Sequence, residues 1–138
     1  MVQGTRTVTR YLAGNGILPP RVTARPGLRT REWTYNWYRK KYGPTFDLGL
    51  VRMHEGYTFD SGFKPNEIAR LGAGYHFDDS YEEAEKIAKP GVTVVLVPQP
   101  WNLDYELIYP NIVKIRGYPY RSKMVRAFLT LAEWITHN

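Results

Sequence analysis

The stretch Gly74-Tyr75-His76-Phe77-Asp78-Asp79-Ser80 places two adjacent carboxylates at the end of a short run of residues with β-strand character. Ser80 stands three residues before Glu83, which is the spacing of a capping box, so a helix is predicted to begin here. Ligands of open α/β sheets bind at the carboxyl ends of the strands. Asp78 and Asp79 are therefore candidate Mg²⁺ ligands, because this cation takes one or two carboxylates together with phosphate oxygens. The alternative is that Asp79 or Ser80 only caps the helix while Asp78 faces solvent.

Strands and helices alternate on both sides of this stretch. Residues 92–97 are apolar on both faces of an extended chain, which predicts a central, parallel strand, whereas residues 1–16 fit either an edge strand or a short helix. The other predicted elements are a distorted edge strand at 17–23, a helix at 28–42, a strand at 46–53, a short helix at 64–72, a short strand at 112–115 and an amphipathic helix at 122–137. Such alternation predicts a layered α/β fold with a mostly parallel sheet.

Length and composition predict one globular domain over residues 1–138. The chain has 138 residues, of which 43% are hydrophobic and 23% charged, and no apolar run approaches the roughly 18 residues of a membrane span. The first residues lack the apolar core of a signal peptide, so a cytoplasmic location is the simplest interpretation. The absence of cysteine excludes disulfides, thiolate metal sites and cysteine nucleophiles.

The net charge of +6 arises entirely near the amino terminus, including a basic segment at about residues 1–16. The first acidic residue is Glu32, and six arginines precede it: Arg6, Arg10, Arg21, Arg25, Arg29 and Arg31. Arginine binds oxyanions bidentately, so this cluster is suited to phosphate on a nucleotide, to a nucleic acid, or to the acidic surface of a partner. The alternative is a solvated basic face.

Two further residues are candidates for binding phosphate. Thr23 ends a strand-like run, where a hydroxyl group and the amides that follow can bind an anion; otherwise it is an ordinary turn residue. Lys64 precedes Pro65 at a predicted helix start, where its ammonium group and free helix amides can meet a phosphate. The alternative for Lys64 is a lysine that faces solvent.

The order of these motifs resembles the haloacid dehalogenase-like phosphohydrolases, in particular the branch that contains 5'(3')-deoxyribonucleotidases. The resemblance covers about residues 17–115 and rests on four short stretches: 22–26 (Val-Thr-Ala-Arg-Pro), 63–65 (Phe-Lys-Pro), 76–80 (His-Phe-Asp-Asp-Ser), and 94–97 with 99–102 (Gln-Pro-Trp-Asn). It implies a three-layer, Rossmann-like fold. It also implies that Thr23, with Arg25 beside it, and Lys64 bind phosphate, and that Asp78 and Asp79 hold Mg²⁺.

The chain departs from the family at the nucleophile, because it contains no Asp-x-Asp motif before the threonine motif. Three explanations stay open: a degenerate relative that acts as a binding, assembly or regulatory protein, part of a split or truncated enzyme, and an enzyme that uses another carboxylate. We favour the first, which predicts negligible phosphatase activity.

A nucleic-acid-binding or particle-forming protein that acts through its arginines is a further alternative, and a homo-oligomer or a partner chain is compatible with the sequence.

Trp33 and Trp37 lie four residues apart in the predicted helix at 28–42. They are expected to pack on a sheet; the alternative is that they bind a ligand.

Overall fold

The computed structural model describes residues 5–97, 99–102, 104, 106 and 108–114, with the backbone alone at 5–8. The predicted helix at 122–137 lies outside the described residues, as does Ile115 of the predicted last strand. No helix in the described part of the chain is both long and apolar enough to cross a membrane.

The described residues form a mixed α/β structure with parallel strands, which confirms the predicted class. The elements in chain order are α1 (Thr5–Gly14), β1 (Arg21–Pro26), α2 (Gly27–Tyr42), a 3-10 helix (Leu48–Leu50), β2 (Val51–His54), α3 (Phe63–Arg70), β3 (Tyr75–Asp78), α4 (Tyr81–Ala88), β4 (Thr93–Leu96) and β5 (Ile112–Lys114). They form two compact units. One unit is Pro19–Leu71, and the other comprises the described residues on either side of it. The expected single domain over residues 1–138 stays a prediction.

A three-stranded parallel sheet in the order β3-β4-β5 lies in the unit formed by the residues on either side of Pro19–Leu71. Asp78 at the end of β3 pairs with Leu96 of β4, and Leu96 pairs in turn with Lys114 of β5. The predicted central, parallel position of β4 is confirmed, since Val94, Val95 and Leu96 are all buried. Helix α4 packs on this sheet through its own buried residues Ala84, Ile87 and Ala88.

The unit Pro19–Leu71 contains a two-stranded parallel sheet of β1 and β2. Strand β1 begins only at Arg21, after two prolines that have no amide hydrogen to donate to a sheet. Strand β2 begins at Val51, later than predicted, because the preceding residues form the 3-10 helix. Asp47 caps that helix by accepting a hydrogen bond from the Gly49 amide at 2.8 Å.

The inward face of α2 is formed by Gly27, Thr34 and Tyr38. The Tyr38 ring stacks on Phe46 with centroids 5.5 Å apart, and burial raises the pKa of the Tyr38 phenol. Trp33 is 60% exposed, so the prediction that both tryptophans pack on a sheet is wrong for Trp33. The reason is the helical period, which turns Trp33 away from the stripe that Thr34 and Tyr38 occupy.

Gly27 allows α2 to start directly beside the end of β2. A Cβ atom at this position would overlap with the backbone carbonyl oxygen of His54. The next residue, Leu28, donates its backbone amide to the carbonyl oxygen of Gly56 at 3.2 Å. Only glycine allows this approach, which sets the path of the chain from β1 into α2.

Candidate functional site

Asp78 is the last residue of β3, and its carboxylate is held on both oxygens. Oδ2 lies 2.9 Å from Nε2 of His76, and Oδ1 accepts a hydrogen bond from the Ser80 backbone amide at 3.1 Å. In the contact with His76 the donor is set by the tautomer of the imidazole ring. Asp78 is 7% exposed, and the alternative in which it faces solvent is therefore wrong.

Ser80 caps α4, as the capping-box spacing predicts. Its Oγ accepts a hydrogen bond from the Glu83 backbone amide at 3.4 Å, and the helix begins at the next residue, Tyr81. Glu82 and Glu83 in the first turn add negative charge near the positive end of the helix dipole. The helix start thus fixes the backbone that follows Asp78 and Asp79.

The backbone of Asp79 is anchored by the loop after β4. Asn102 is 1% exposed, and its Nδ2 donates to the carbonyl oxygens of Asp79 at 2.7 Å and Val97 at 2.8 Å. Its Oδ1 accepts from the Gln99 amide at 3.0 Å, and Trp101 Nε1 donates to the Asp79 carbonyl oxygen at 3.0 Å. Residues 99–102 were singled out only for the family resemblance, and this role of Asn102 was not predicted. The only indication was that Trp-Asn closely follows a buried strand.

Two adjacent carboxylates bind Mg²⁺ only together with further ligands. Among the described residues, no group of three or more histidine, aspartate or glutamate side chains could hold a metal ion. Mg²⁺ is commonly bound through one or two carboxylates, with substrate phosphates and water completing its octahedral shell. Asp78 and Asp79 supply two carboxylates at most and do not form a complete protein cage.

Thr23 and Arg25 lie together on β1, where the register with β2 shifts between Thr23 and Pro26. Thr23 Oγ1 accepts a hydrogen bond from the Arg25 backbone amide at 3.3 Å. The Arg25 guanidinium lies over two indole rings, 4.5 Å from the centroid of Trp33 and 5.8 Å from that of Trp37. Thr23 is the third of the six residues of β1 and Arg25 is the fifth. The prediction that the strand ends at Thr23 is therefore wrong, because β1 continues to Pro26.

Lys64 is the second residue of α3 and precedes Pro65, as predicted. Helix α3 packs against β1, the strand that carries Thr23 and Arg25. Among the described residues, no side-chain hydrogen bond caps α3 at its N-cap Gly62, and the first turn of the helix contains no acidic residue. The start of this helix therefore has the positive partial charge that favours an anion.

Glu67 of α3 lies close to two arginines, one on its own helix and one on β2. It accepts a hydrogen bond from Arg70 Nε at 2.9 Å and forms a second contact with Nη2 of the same guanidinium. Its Oε1 also lies 3.9 Å from Nε of Arg52 on β2. The bond from Arg70 lowers the pKa of Glu67, which burial opposes and the charges of Arg70 and Arg52 reinforce.

The six arginines that precede Glu32 are distributed over three elements. Arg6 and Arg10 lie on α1, Arg21 and Arg25 on β1, and Arg29 and Arg31 on α2. Arg31 is already engaged, because its Nη2 lies 2.6 Å from Oε1 of Glu55. Four of the six thus belong to the unit Pro19–Leu71, together with Lys64. Asp78 and Asp79 belong to the other unit.

Comparisons of the chain with protein-family models, with curated proteins and with solved structures found no significant match.

Proposed function

We propose that this chain is a haloacid dehalogenase-like protein that binds a phosphate-bearing small molecule or nucleotide together with Mg²⁺ and does not hydrolyse it. The proposal includes a three-layer, Rossmann-like arrangement, a cytoplasmic location and a binding, assembly or regulatory role. The observation that carries it is the buried Asp78 carboxylate at the carboxyl end of β3, with one oxygen 2.9 Å from His76 and the other 3.1 Å from the Ser80 amide.

Mg²⁺ binding is proposed because hydrogen bonds already hold the Asp78 carboxylate in place. A buried carboxylate costs free energy unless it is hydrogen-bonded, and Asp78 has two such partners from its own strand end. Asp79 follows directly, with its carbonyl oxygen fixed by Trp101 and Asn102. Two carboxylates at a strand end would hold Mg²⁺ beside a phosphate, and the cation would supply charge neutralisation there.

Phosphate binding is proposed for the side chains of Thr23, Arg25 and Lys64. Thr23 contributes a hydroxyl group, Arg25 a guanidinium group, and Lys64 an ammonium group at the start of α3. A hydroxyl donor and two cations are the groups that neutralise the oxygens of a phosphate. These residues lie on two elements that pack together, β1 and α3.

Hydrolysis by this family proceeds through an aspartate that attacks phosphorus. The sequence contains no Asp-x-Asp motif and no carboxylate before Glu32. Without a nucleophile, no covalent intermediate forms, however well phosphate is held. The residues that remain therefore support binding and not turnover.

Thermal unfolding tests the binding half of the proposal. Inorganic phosphate and deoxyuridine monophosphate, each with Mg²⁺, should raise the unfolding temperature more than the sum of their separate effects, because a bound ligand stabilises the folded state. Asp78→Asn should abolish the Mg²⁺-dependent part, and Lys64→Gln should weaken the phosphate effect. Asp104→Asn, which removes an exposed carboxylate from the same unit as Asp78, should change neither. No response to phosphate at any Mg²⁺ concentration would overturn the proposal.

A turnover assay tests the other half. The isolated chain should release no phosphate from p-nitrophenyl phosphate above the level of buffer with Mg²⁺. Mg²⁺-dependent release that disappears in Asp78→Asn would contradict the proposal, and would favour an active phosphohydrolase that uses another carboxylate.

A further inference from the structure

Helix α2 presents an exposed stripe that combines an indole ring with cations. Trp33 is 60% exposed, and on this helix Arg29 precedes it by four residues while Lys40 follows it by seven. Residues at these spacings lie along one face of a helix. We call Arg29, Trp33, Trp37, Lys40 and Lys41 the α2 stripe.

Arg25 supports the two indoles of this stripe from the neighbouring strand. Its guanidinium carbon lies 4.5 Å from the Trp33 centroid and 5.8 Å from the Trp37 centroid. A cation–π contact of this kind restrains the ring while its outer part stays in solvent. Exposed tryptophan costs free energy in water, so a fixed and exposed indole is a candidate contact surface.

The charge around the stripe is strongly positive. Within α2, Glu32 is the one acidic residue, whereas the last turn alone contributes Arg39, Lys40 and Lys41. The charge of Arg31 is compensated by Glu55, with which it forms an ion pair. A surface of this charge selects an anionic partner, and an exposed indole selects one with accessible planar rings.

We propose that the α2 stripe binds single-stranded nucleic acid, with a base stacked on Trp33 and with backbone phosphates on Arg29, Lys40 and Lys41. Single strands offer both features at once, since their bases are open for stacking and their phosphates are closely spaced. A duplex hides the faces of its bases, and an acidic protein surface has no regular series of rings. This inference needs neither Mg²⁺ nor the residues Thr23, Lys64 and Asp78.

The test is fluorescence anisotropy with a labelled oligothymidylate of about 15 nucleotides, a length that covers the usual site of a single-strand-binding domain. The oligonucleotide carries a 5' hydroxyl group, and the buffer contains EDTA, so that neither a terminal phosphate monoester nor Mg²⁺ contributes to this measurement. Trp33→Ala should weaken binding about tenfold, and Trp33→Tyr should retain most of the affinity because it keeps a stacking ring.

Matched controls come from the same unit. Tyr57 and Phe59 are as exposed as Trp33, and neither lies under a guanidinium group among the described contacts. Tyr57→Ala and Phe59→Ala should therefore leave the dissociation constant within about twofold of the unmodified chain. Circular dichroism of each variant checks that the helix content is unchanged.

Salt dependence tests the phosphate contacts separately. Each phosphate contact on a single strand contributes about 0.7 to the slope of log K against log salt, so Arg29→Gln with Lys40→Gln should reduce the slope by about 1.4. Lys89→Gln, an exposed lysine of the other unit, should leave the slope unchanged. The proposal is overturned if Trp33→Ala binds as well as the unmodified chain, or if a blunt duplex binds equally well and is equally insensitive to Trp33. Displacement of the oligonucleotide by polyglutamate at equal charge concentration would also overturn it.

Discussion

The side-chain amide of Asn102 lies 2.7 Å from the backbone carbonyl oxygen of Asp79 and donates a hydrogen bond to it. The loop after β4 is thereby joined to the first residue beyond β3, at the carboxyl edge of one parallel sheet. Because Asn102 also bonds Val97 and Gln99, one buried side chain fixes both loops at the edge where Asp78 lies.

Asn102→Ala should therefore destabilise the protein strongly. It leaves the part-buried amide of Gln99 and the buried carbonyl oxygen of Val97 without the partners that Asn102 supplies, which costs about 2–4 kcal/mol of unfolding free energy. Urea unfolding measures this cost. Asn36→Ala on the exposed face of α2 is the control, and it should change stability by less than about 0.5 kcal/mol. A loss of similar size in both variants would contradict the role given to Asn102.

Gly27→Ala should lower stability although alanine is the better helix former. The new Cβ overlaps with the carbonyl oxygen of His54, so either α2 or β2 has to move. We expect a loss of about 1–3 kcal/mol, which exceeds the gain in helix propensity of up to about 1 kcal/mol. Gly14→Ala on α1 is the matched control, since its Cβ meets no atom within 4 Å. That variant should be neutral or more stable.

Thr34→Val should stabilise the protein. Thr34 is fully buried, and its Oγ1 has no hydrogen-bond partner among the described residues. Valine has nearly the same shape and removes the unsatisfied hydroxyl group, so we expect a gain of about 1 kcal/mol in thermal or urea unfolding. Thr30→Val in the same helix serves as the opposite case, because Thr30 Oγ1 donates to the Pro26 carbonyl oxygen at 3.0 Å. This second variant should lose stability.

Glu67 should make the protein acid-sensitive. The hydrogen bond from Arg70 lowers the pKa of Glu67 in the folded state below its ordinary value of 4.5. Its contribution is therefore complete above the pKa of the unfolded chain, and it is lost as the pH falls through the lower folded pKa.

Urea unfolding at about pH 6 and about pH 3.5 measures this effect. Stability should fall less between these two pH values in Glu67→Gln than in the unmodified protein. Glu106→Gln, at an exposed position, should retain the full acid-dependent loss. An unchanged loss in Glu67→Gln would show that other groups cause it.

Local patterns predicted the elements around the candidate site well. The strand at Tyr75–Asp78, the Ser80 cap and the buried strand β4 each depend on residues close in sequence, whose propensities and spacing agree with the structure. The start of β2 was predicted too early, because Asp47 caps a 3-10 helix that replaces the first strand residues.

Features that depend on distant contacts were not predictable. The bond from Asn102 to Asp79 joins residues 23 positions apart, and nothing in the local sequence shows that the two loops meet. Two tryptophans four residues apart fit an inward or an outward helix face equally well. The choice is made by Thr34 and Tyr38, which fill the inward face and leave Trp33 in solvent.

The central claim is that Asp78 couples Mg²⁺ to phosphate binding in a chain that does not hydrolyse phosphate esters. Isothermal titration calorimetry with inorganic phosphate, in the presence and absence of Mg²⁺, tests this coupling most directly. Mg²⁺ should strengthen phosphate binding by about five- to 150-fold in the unmodified protein, the usual range of coupling between two bound ligands. It should have no effect in Asp78→Asn. Equal phosphate affinity with and without Mg²⁺ in the unmodified protein would contradict the claim.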